Sequence, residues 1–595
     1  MTHTRYQLPS CARGLRHGVV TQINDHVRYE PDERPPWPVA AGVGAQAALV
    51  TVPGVVITVV IVARIAEQPA SYIAWAVFAA MLVSGATTVI QAARFGRVGA
   101  GHVLIMGTSG AFIAVCVAAL VEGGPSTMAS LVVISSLFQF AMAARLSLLR
   151  RIFTPVMAGT VIMLIAATVM PIVFDTLDDV PEDASNVAAP VTAAVTLGVV
   201  LGLVLRGPAA WRLWSPIIGI IAGCVVAAAF GIYDLQPVLD AGWVGVPTGG
   251  WPGFDVTPGQ EFWALLPAFI VVTLVGAVET VGDGIAIQRV SRRAPRATDF
   301  RVVQGSLNAD GMGNLLSGLA GTLPNTTYSS SISLAEVTGV AARRAGIAIG
   351  VIVVVLAFLP KFAALLVAIP GPVVAAYVTV LLALLFVQGM RMVVQDGLDH
   401  RKAAIAGIAF WIGVGFQNES IFADLLGPFA GVLLGNGMTS GALAAVIMIL
   451  FMELTGPRRR RLQVPLEMDA LPAIDEFLRG FASRSHWNGA STERLASAGE
   501  ETLAVLLQTR GEGGDGRARR LSVVARMDGP LAQVEFVTSF EGDNIEDQLA
   551  YLAELPPVPD EDEISLRLLR HHASSVQHQK YHGIDIVTVE VEGAR

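Results

Sequence analysis

Residues 324–334 read PNTTYSSSISL, and they stand between two apolar stretches, GMGNLLSGLAGTL (311–323) and AARRAGIAIGVIVVVLAFL (341–359). Pro324 lacks a backbone N–H and bars a regular helix directly across the stretch, while Asn325, Thr326 and the serines can satisfy the freed backbone groups with their side chains. At membrane depth such irregular backbone persists only where it lines a cavity or is buried in protein. A broken element that runs into a helix N-terminus is also where transporters bind substrates. A matching interruption lies in the first half, GAGHVLIMGTSGAFIAV (99–115), where Gly107 to Gly110 break an apolar run. Two interrupted segments in corresponding halves argue for an inverted repeat. Small residues for close helix packing would explain the glycines equally well, though not Pro-Asn-Thr-Thr-Tyr.

The surroundings require a membrane. The chain has 595 residues, of which 53% are hydrophobic and only 15% charged, with a mean hydropathy of +0.59, whereas a soluble domain carries about 25% charged residues. A spanning helix needs about 20 mostly apolar residues. Spans on that yardstick begin near Val39, Ser71, His102, Ala129, Phe153, Ala188, Ser215, Glu261, Ala345, Pro370, Ala403 and Gly431. Two broken segments, 303–321 and 325–340, bring the expectation to about 14. Basic loops at Arg94/Arg97, Arg145/Arg150/Arg151, Arg206/Arg212, Arg289 to Arg301, Arg343/Arg344, Arg391 to Lys402 and Arg458 to Arg461 alternate with acidic or neutral ones. That alternation places both termini on the cytoplasmic side of a cytoplasmic (inner) membrane, and it needs the two broken segments to hold. No apolar run precedes Arg28, so no cleaved signal is expected.

Four regions follow: a cytoplasmic N-terminal segment at 1–36, a transporter domain at 37–456, a basic linker at 457–464 and a cytoplasmic α/β domain at 465–595. In the last, the pattern predicts helices near 468–483, 491–508, 544–554 and 563–573. Strands are predicted at RLSVVARM (520–527), LAQVEFVTSF (531–540) and GIDIVTVEVE (583–592), with GEGGDGRARR (511–520) as a flexible loop. The net charge of −8 mixes this polar tail with the apolar body, and nothing points to nucleic acid. Cys11, Cys116 and Cys224 lie too far apart for a disulfide framework or a metal spacing.

Ionisable residues inside a membrane cost roughly 2.5 kcal/mol or more and persist mainly where they serve a pathway. In FIVVTLVGAVETVGDGIAI (269–287), Glu279 and Asp283 are four apart and share one helix face. Two such carboxylates repel if both ionise, so one is expected to carry a proton near neutral pH, which is what a proton-coupled carrier requires. The same pair would also serve as a polar lock between helices.

On these residues the chain resembles the uracil/xanthine permeases, also called nucleobase–ascorbate transporters, over about residues 28–456. The resemblance is carried by RYEPDERPPWP (28–38), QAARFGRVGAGHVLIMGTSGAF (91–112), AVETVGDGIA (277–286) and PNTTYSSSISLAEVTGVAARRAG (324–346). It implies an α-helical fold of about 14 spans in two inverted repeats of seven. It further implies a substrate-carrying core domain, a gate domain that dimerises, elevator-like movement, and short extended stretches in the third and tenth spans, here Thr108 to Ala111 and Thr326 to Tyr328. Glu279 then hydrogen-bonds the base, and the acidic Asp283 tilts the substrate toward purines such as xanthine or uric acid over uracil. Pro324, Asn325, Thr326, Tyr328, Thr338 and Arg343 keep the family pattern. Ser330, Ser331, Ile332 and Ser333 replace the family's Gln or Glu, Asn, any residue and Gly, and the aromatic common at Gly110 is missing, as is the His at Ala47. A hydroxyl in place of an amide has less reach and fewer bonding directions, so a roomier pocket is expected.

The tail resembles, more faintly, the ATP-binding domain of histidine kinases and anti-sigma factors. The helical turn after Glu501 carries Val505 where that family has a metal-holding Asn, and DEDEIS (560–565) replaces the glycine-rich lid. A degenerate, non-catalytic copy that binds a cytoplasmic protein partner is expected. His571, His572, His578 and His582 read as a surface cluster sooner than as a metal site.

The expectation is therefore a proton-coupled symporter of nucleobase-like heterocycles, not an enzyme, needing no cofactor beyond the coupling proton. Glu279 binds substrate and couples the proton, Asp283 tunes it, and Ser330, Ser331, Gly110 and the backbone near Ser109 and Thr327 complete the pocket. Its partners are a small-molecule substrate, membrane lipid and a second copy of the chain. A carrier of anions and a transporter-derived sensor signalling through the tail are the alternatives, and an unprotonated acidic span argues against the first.

Overall fold

The computed structural model describes residue 24 and residues 26–594, apart from 150–153, 182–183, 295, 395–396, 398, 419–420, 422–433, 436, 456–458, 509–519, 529, 539–543 and 552–563. Most of the N-terminal segment, Arg150, Arg151, Phe153, the span start near Gly431, Arg458, nearly all of GEGGDGRARR and the acidic part of DEDEIS lie outside the described residues. The chain divides into two compact units, one of Asp25–Arg293 with Thr298–Gly456, the other built mainly of Pro457–Arg595.

The first unit is helical. In chain order its main elements are α1 (Trp37–Ile65), α2 (Ala70–Ala93), β1 (Met106–Thr108), α3 (Ile113–Glu122), α4 (Gly124–Ala144), α5 (Pro155–Asp175), α6 (Ala188–Arg206) and α7 (Ala209–Ala229). There follow α8 (Gln260–Val290), α9 (Phe300–Ala320), β2 (Asn325–Thr327), α10 (Ser330–Thr338), α11 (Arg343–Ala357), α12 (Pro360–Val367), α13 (Gly371–Val394), α14 (His400–Gln417) and α15 (Gly437–Thr455). Among the described residues, eight helices are long and apolar enough to cross a membrane: α1, α2, α4, α5, α6, α8, α13 and α15. The pair α11 and α12, bent by 85°, would make nine. Helix α9 falls short because its residues Gln304, Ser306, Asp310, Asn314 and Ser317 are polar yet buried, so its hydropathy reflects protein neighbours in place of lipid. Outward faces instead expose Leu205, Val225, Trp411 and Phe451, as contact with lipid tails requires.

Close helix packing rests on glycine pairs. A Cβ on Gly85 of α2 would lie 2.7 Å from the Gly350 carbonyl of α11, and one on Gly350 would lie 2.5 Å from the Gly85 carbonyl. Gly159 of α5 and Gly389 of α13 pack in the same reciprocal way, as do Gly413 of α14 and Gly437 of α15. Helix α9 ends at Gly321, whose φ of +70° suits a left-handed cap and turns the chain into the broken stretch.

The second unit carries β3 (Arg460–Pro465), α16 (Leu471–Arg484), α17 (Gly489–Gln508), β4 (Arg520–Asp528), β5 (Leu531–Thr538), α18 (Ile545–Tyr551), α19 (Ile564–His572), β6 (Ser575–Tyr581) and β7 (Ile584–Glu592). The strands form one antiparallel sheet in the order β3-β4-β5-β7-β6. Ile474, Leu478, Leu495, Leu503, Val523, Phe536 and Val589 join its core. Predicted helices and strands agree to within a few residues, but two strands were not anticipated. Arg460–Pro465 is an edge strand where a linker was expected, since its short Leu462/Val464 alternation follows two exposed arginines and is only half-buried. His578 is also not a surface residue: it is buried on β6 and accepts a hydrogen bond from Ile545 N at 3.0 Å.

Candidate functional site

The two interrupted segments meet each other. β1 and β2 pair antiparallel, with Met106 opposite Thr327, Gly107 opposite Thr326 and Thr108 opposite Asn325. The ladder continues at both ends, where Ser109 N donates to Pro324 O at 2.9 Å and Tyr328 N donates to Ile105 O at 2.8 Å. Each segment thus supplies the backbone partners that the other needs in a buried place. The extended residues begin earlier than expected, at Met106 in place of Thr108 and at Asn325 in place of Thr326. Residues Gly110–Phe112 already form a helical turn that leads into α3. The short-range signal of a Gly-Thr-Ser-Gly run does not reveal this, because the boundary is set by a contact across the chain. A Cβ on Gly107 would meet the Tyr328 hydroxyl at 2.5 Å and its Cε2 at 2.6 Å, so only glycine lets that ring lie against β1.

Side chains from three helices and a backbone carbonyl of a fourth fix the crossing. Tyr328 donates to Thr108 O at 3.0 Å, and Thr108 donates to Val55 O of α1 at 3.0 Å. Met106 N donates to Thr88 Oγ1 of α2 at 2.9 Å, and Asn325 N donates to Asn314 Oδ1 of α9 at 2.6 Å. Ser331 is buried, accepts from Ile105 N at 2.8 Å and donates to Tyr328 O at 2.6 Å. Its hydroxyl is used at both ends to bind the two segments, which leaves it holding the crossing together. Thr338 and Arg343 lie further along. Thr338 donates to Leu334 O at the end of α10, and Arg343 donates to Gly101 O and pairs with Asp32 at 2.8 Å.

The two acids of α8 stand in different environments. Asp283 is buried and accepts from Thr327 Oγ1 at 2.7 Å and Ser329 Oγ at 2.8 Å. Glu279, one turn earlier, is only half-buried, and among the described residues no protein group donates to its carboxylate or pairs with it. Ser330, at the first position of α10, is likewise half-buried with no protein partner among the described residues. A Cβ on Gly110 or on Gly282 would meet nothing within 4 Å among the described residues. Ser109 is buried and its N–H is committed to Pro324; Thr326 is buried, and its hydroxyl has no partner among the described residues.

A third acid was missed by the sequence reading. Asp310 of α9 is buried, and one of its oxygens accepts from Gln139 of α4 and from Thr280 of α8 at 2.7 Å, while the other has no partner among the described residues. Asn314 donates to Gln139 Oε1 at 2.7 Å and completes the chain of contacts back to β2. The signal was present as Asp310 and Asn314 four apart, but it sits in a polar helix read only as a broken segment. Gln388 of α13 was missed as well; its Nε2 donates to Ser329 Oγ at 3.3 Å. Three acids therefore gather around the crossing, and among the described residues no Lys or Arg pairs with them. Such a site can accept hydrogen bonds from a neutral polar molecule and can hold a proton. It disfavours an anion unless an acid is protonated.

Comparison with known proteins bears on the membrane unit. The Xan_ur_permease model, described as "Permease family", matches residues 40–420. The xanthine permease XanP of Escherichia coli is 25% identical over 444 residues, which covers 72% of this chain and 95% of that protein. The nucleobase transporter PlUacP of Paenibacillus larvae is 26% identical over 414 residues, covering 68% and 92%. Among solved structures, the transmembrane domain of a cyanobacterium bicarbonate transporter BicA aligns with a TM-score of 0.44 at 16% identity, covering 71% of this chain and 99% of that one.

Proposed function

This chain belongs to that permease family, a family of transporters and not of enzymes, and from that premise we propose that it is a proton-coupled symporter of nucleobase-like heterocycles, purines such as xanthine or uric acid favoured over uracil. The observation that carries the reading is the division of labour on α8. Asp283 is fixed by Thr327 and Ser329 at the crossing of β1 and β2, while Glu279, one turn earlier, keeps a half-buried carboxylate with no protein partner among the described residues. Glu279 is then the group that accepts hydrogen bonds from the ring edge and takes up the coupling proton, with Asp283 holding its neighbour's geometry. Ser330, half-buried and without a protein partner among the described residues, and Gly110, which carries no side chain, would complete the substrate contacts.

The same reading assigns about 14 spans, adding β1 with α3, α7, α9, β2 with α10, the bent pair α11 and α12, and α14 to the eight long helices. Two inverted repeats, α1 to α7 and α8 to α15, are supported by packing that recurs in both halves: α2 lies on α11 as α9 lies on α4, and α6 lies on α7 as α14 lies on α15. In this scheme α5 to α7 and α13 to α15 form a gate through which two copies dimerise, and the remaining helices form a core that moves as an elevator. The protein sits in a cytoplasmic membrane with both termini inside, and residues 465–595 are a degenerate kinase-like domain for a cytoplasmic protein partner.

Uptake of radiolabelled xanthine, uric acid and uracil into proteoliposomes, with and without an inward proton gradient, tests this reading. Gradient-driven uptake of the purines supports it, and no uptake of any base refutes it. Saturable binding without uptake would favour the second reading, a sensor derived from a transporter. The appended second unit and the serine at position 330 are what speak for that alternative.

A further inference from the structure

We propose that Gln388 of α13 supplies to the substrate an amide contact that the hydroxyl of Ser330 cannot make. Helix α13 presses against α5 through Gly389, where a Cβ would lie 2.6 Å from the Gly159 carbonyl. That contact fixes the helix at the very position next to Gln388, whose half-buried carboxamide reaches Ser329 Oγ at 3.3 Å. Ser329 passes the contact on, donating to Asp283 Oδ1 at 2.8 Å. The Gln388 amide is thus joined through Ser329 to the Asp283 that neighbours Glu279 on α8, and Ser330 is the next residue after Ser329; the residues around Gln388 on α13, LLALLFVQGM (381–390), are otherwise apolar.

A carboxamide offers two N–H donors and two acceptor lone pairs. Only one N–H of Gln388 has a partner among the described residues, and that bond is long. The rest of its bonding capacity is free to meet a ring edge that carries an N–H beside a carbonyl, the edge that oxopurines present. Such an edge pairs with the amide in two parallel hydrogen bonds, much as Asn or Gln pairs with a base edge elsewhere. A hydroxyl at Ser330 cannot form that pair, since it has one donor and no carbonyl beside it. Substrate is then held by Glu279 on one side and Gln388 on the other. This assignment rests on the transporter reading above and specifies how that site selects its substrate.

The test compares uptake of xanthine and its ring-N-methylated derivatives by the full-length protein in proteoliposomes. In the unmodified protein at least one N-methyl group should impose a penalty of about tenfold or more in Vmax/KM, the size of one well-formed hydrogen bond. Gln388→Met keeps the volume and removes the amide, so it should lower xanthine Vmax/KM by about tenfold and erase that penalty. Adding Ser330→Gln to Gln388→Met should restore both, which a merely structural role for Gln388 would not allow. If the unmodified protein transports xanthine while Gln388→Met keeps both its rate and its N-methyl profile, this proposal fails and the transporter reading stands. If the unmodified protein takes up no base, both fail together.

Discussion

Replacing Gly107 with alanine drives a methyl group into the point where the two broken segments cross. The new Cβ would lie 2.5 Å from the Tyr328 hydroxyl and 2.6 Å from its Cε2, against 3.4–4 Å for ordinary contact. The ring must therefore retreat by about 1 Å in an interior packed like a crystal. It has little freedom to do so, because its hydroxyl is bonded to Thr108 O and its backbone N–H to Ile105 O. Overpacking of this kind costs about 1–3 kcal/mol, and loss of the Tyr328 bond adds about 1 kcal/mol. The assay is thermal denaturation of the purified protein in detergent, followed by loss of the monodisperse peak, with Gly110→Ala as the control. Gly107→Ala should lower the apparent melting temperature clearly, whereas Gly110→Ala should leave it unchanged, since a Cβ there meets nothing within 4 Å. A Gly107→Ala protein as stable as the unmodified one, or equal losses in both variants, would refute the crossing described here.

Three further outcomes follow from the same contacts. Ser331→Ala leaves Ile105 N–H without its acceptor in a buried place and should cost about 1–3 kcal/mol in the same denaturation assay; stability equal to the unmodified protein would remove its structural role. Thr327→Val removes one of the two donors to Asp283 while Ser329 remains, so its cost should stay near 0.6 kcal/mol and below about 1.7 kcal/mol, as for other hydrogen bonds between membrane helices. At the chain's start, Glu33 pairs with Arg293 at 2.8 Å, and that guanidinium holds the Glu33 carboxyl below its ordinary value of 4.5. A lowered value in the folded state means that the contact contributes fully above about pH 4.5 and is lost as pH falls through the lower, folded value. Limited proteolysis at residues 26–34 should therefore be constant from pH 5 to 8 and rise only in stronger acid, as ordinary carboxylate values dictate, and Glu33→Gln should raise it at neutral pH.

Much of the membrane unit was legible because its physics is local. Pro324 forbids helix, hydroxyls and Asn325 can satisfy backbone, and two acids four apart share a helix face; all three readings need only the neighbouring residues. The β1 boundary was not legible, because Gly107 is defined by Tyr328, more than two hundred residues away in the chain. Asp310 escaped notice because a polar helix buried among other helices has no hydropathy signal to mark it. Gln388 is one polar residue in an apolar run, and its direction is set by the packing of Gly389 on Gly159. Ser331 illustrates the converse: its position in the family pattern pointed to substrate, while its hydroxyl is committed to Ile105 and Tyr328. In the second unit, edge strands such as Arg460–Pro465 bury only part of one face, so their alternation was lost among the arginines.

In the proposed mechanism the carboxylate of Glu279 both meets the substrate and takes up the coupling proton. Xanthine uptake into proteoliposomes under an inward proton gradient, measured for the unmodified protein and for Glu279→Gln at equal reconstitution, tests it most directly. Gradient-stimulated uptake by the unmodified protein and its loss in Glu279→Gln are expected, with the melting behaviour of the two proteins alike. Uptake by Glu279→Gln that remains equal in rate and equally dependent on the gradient would contradict it.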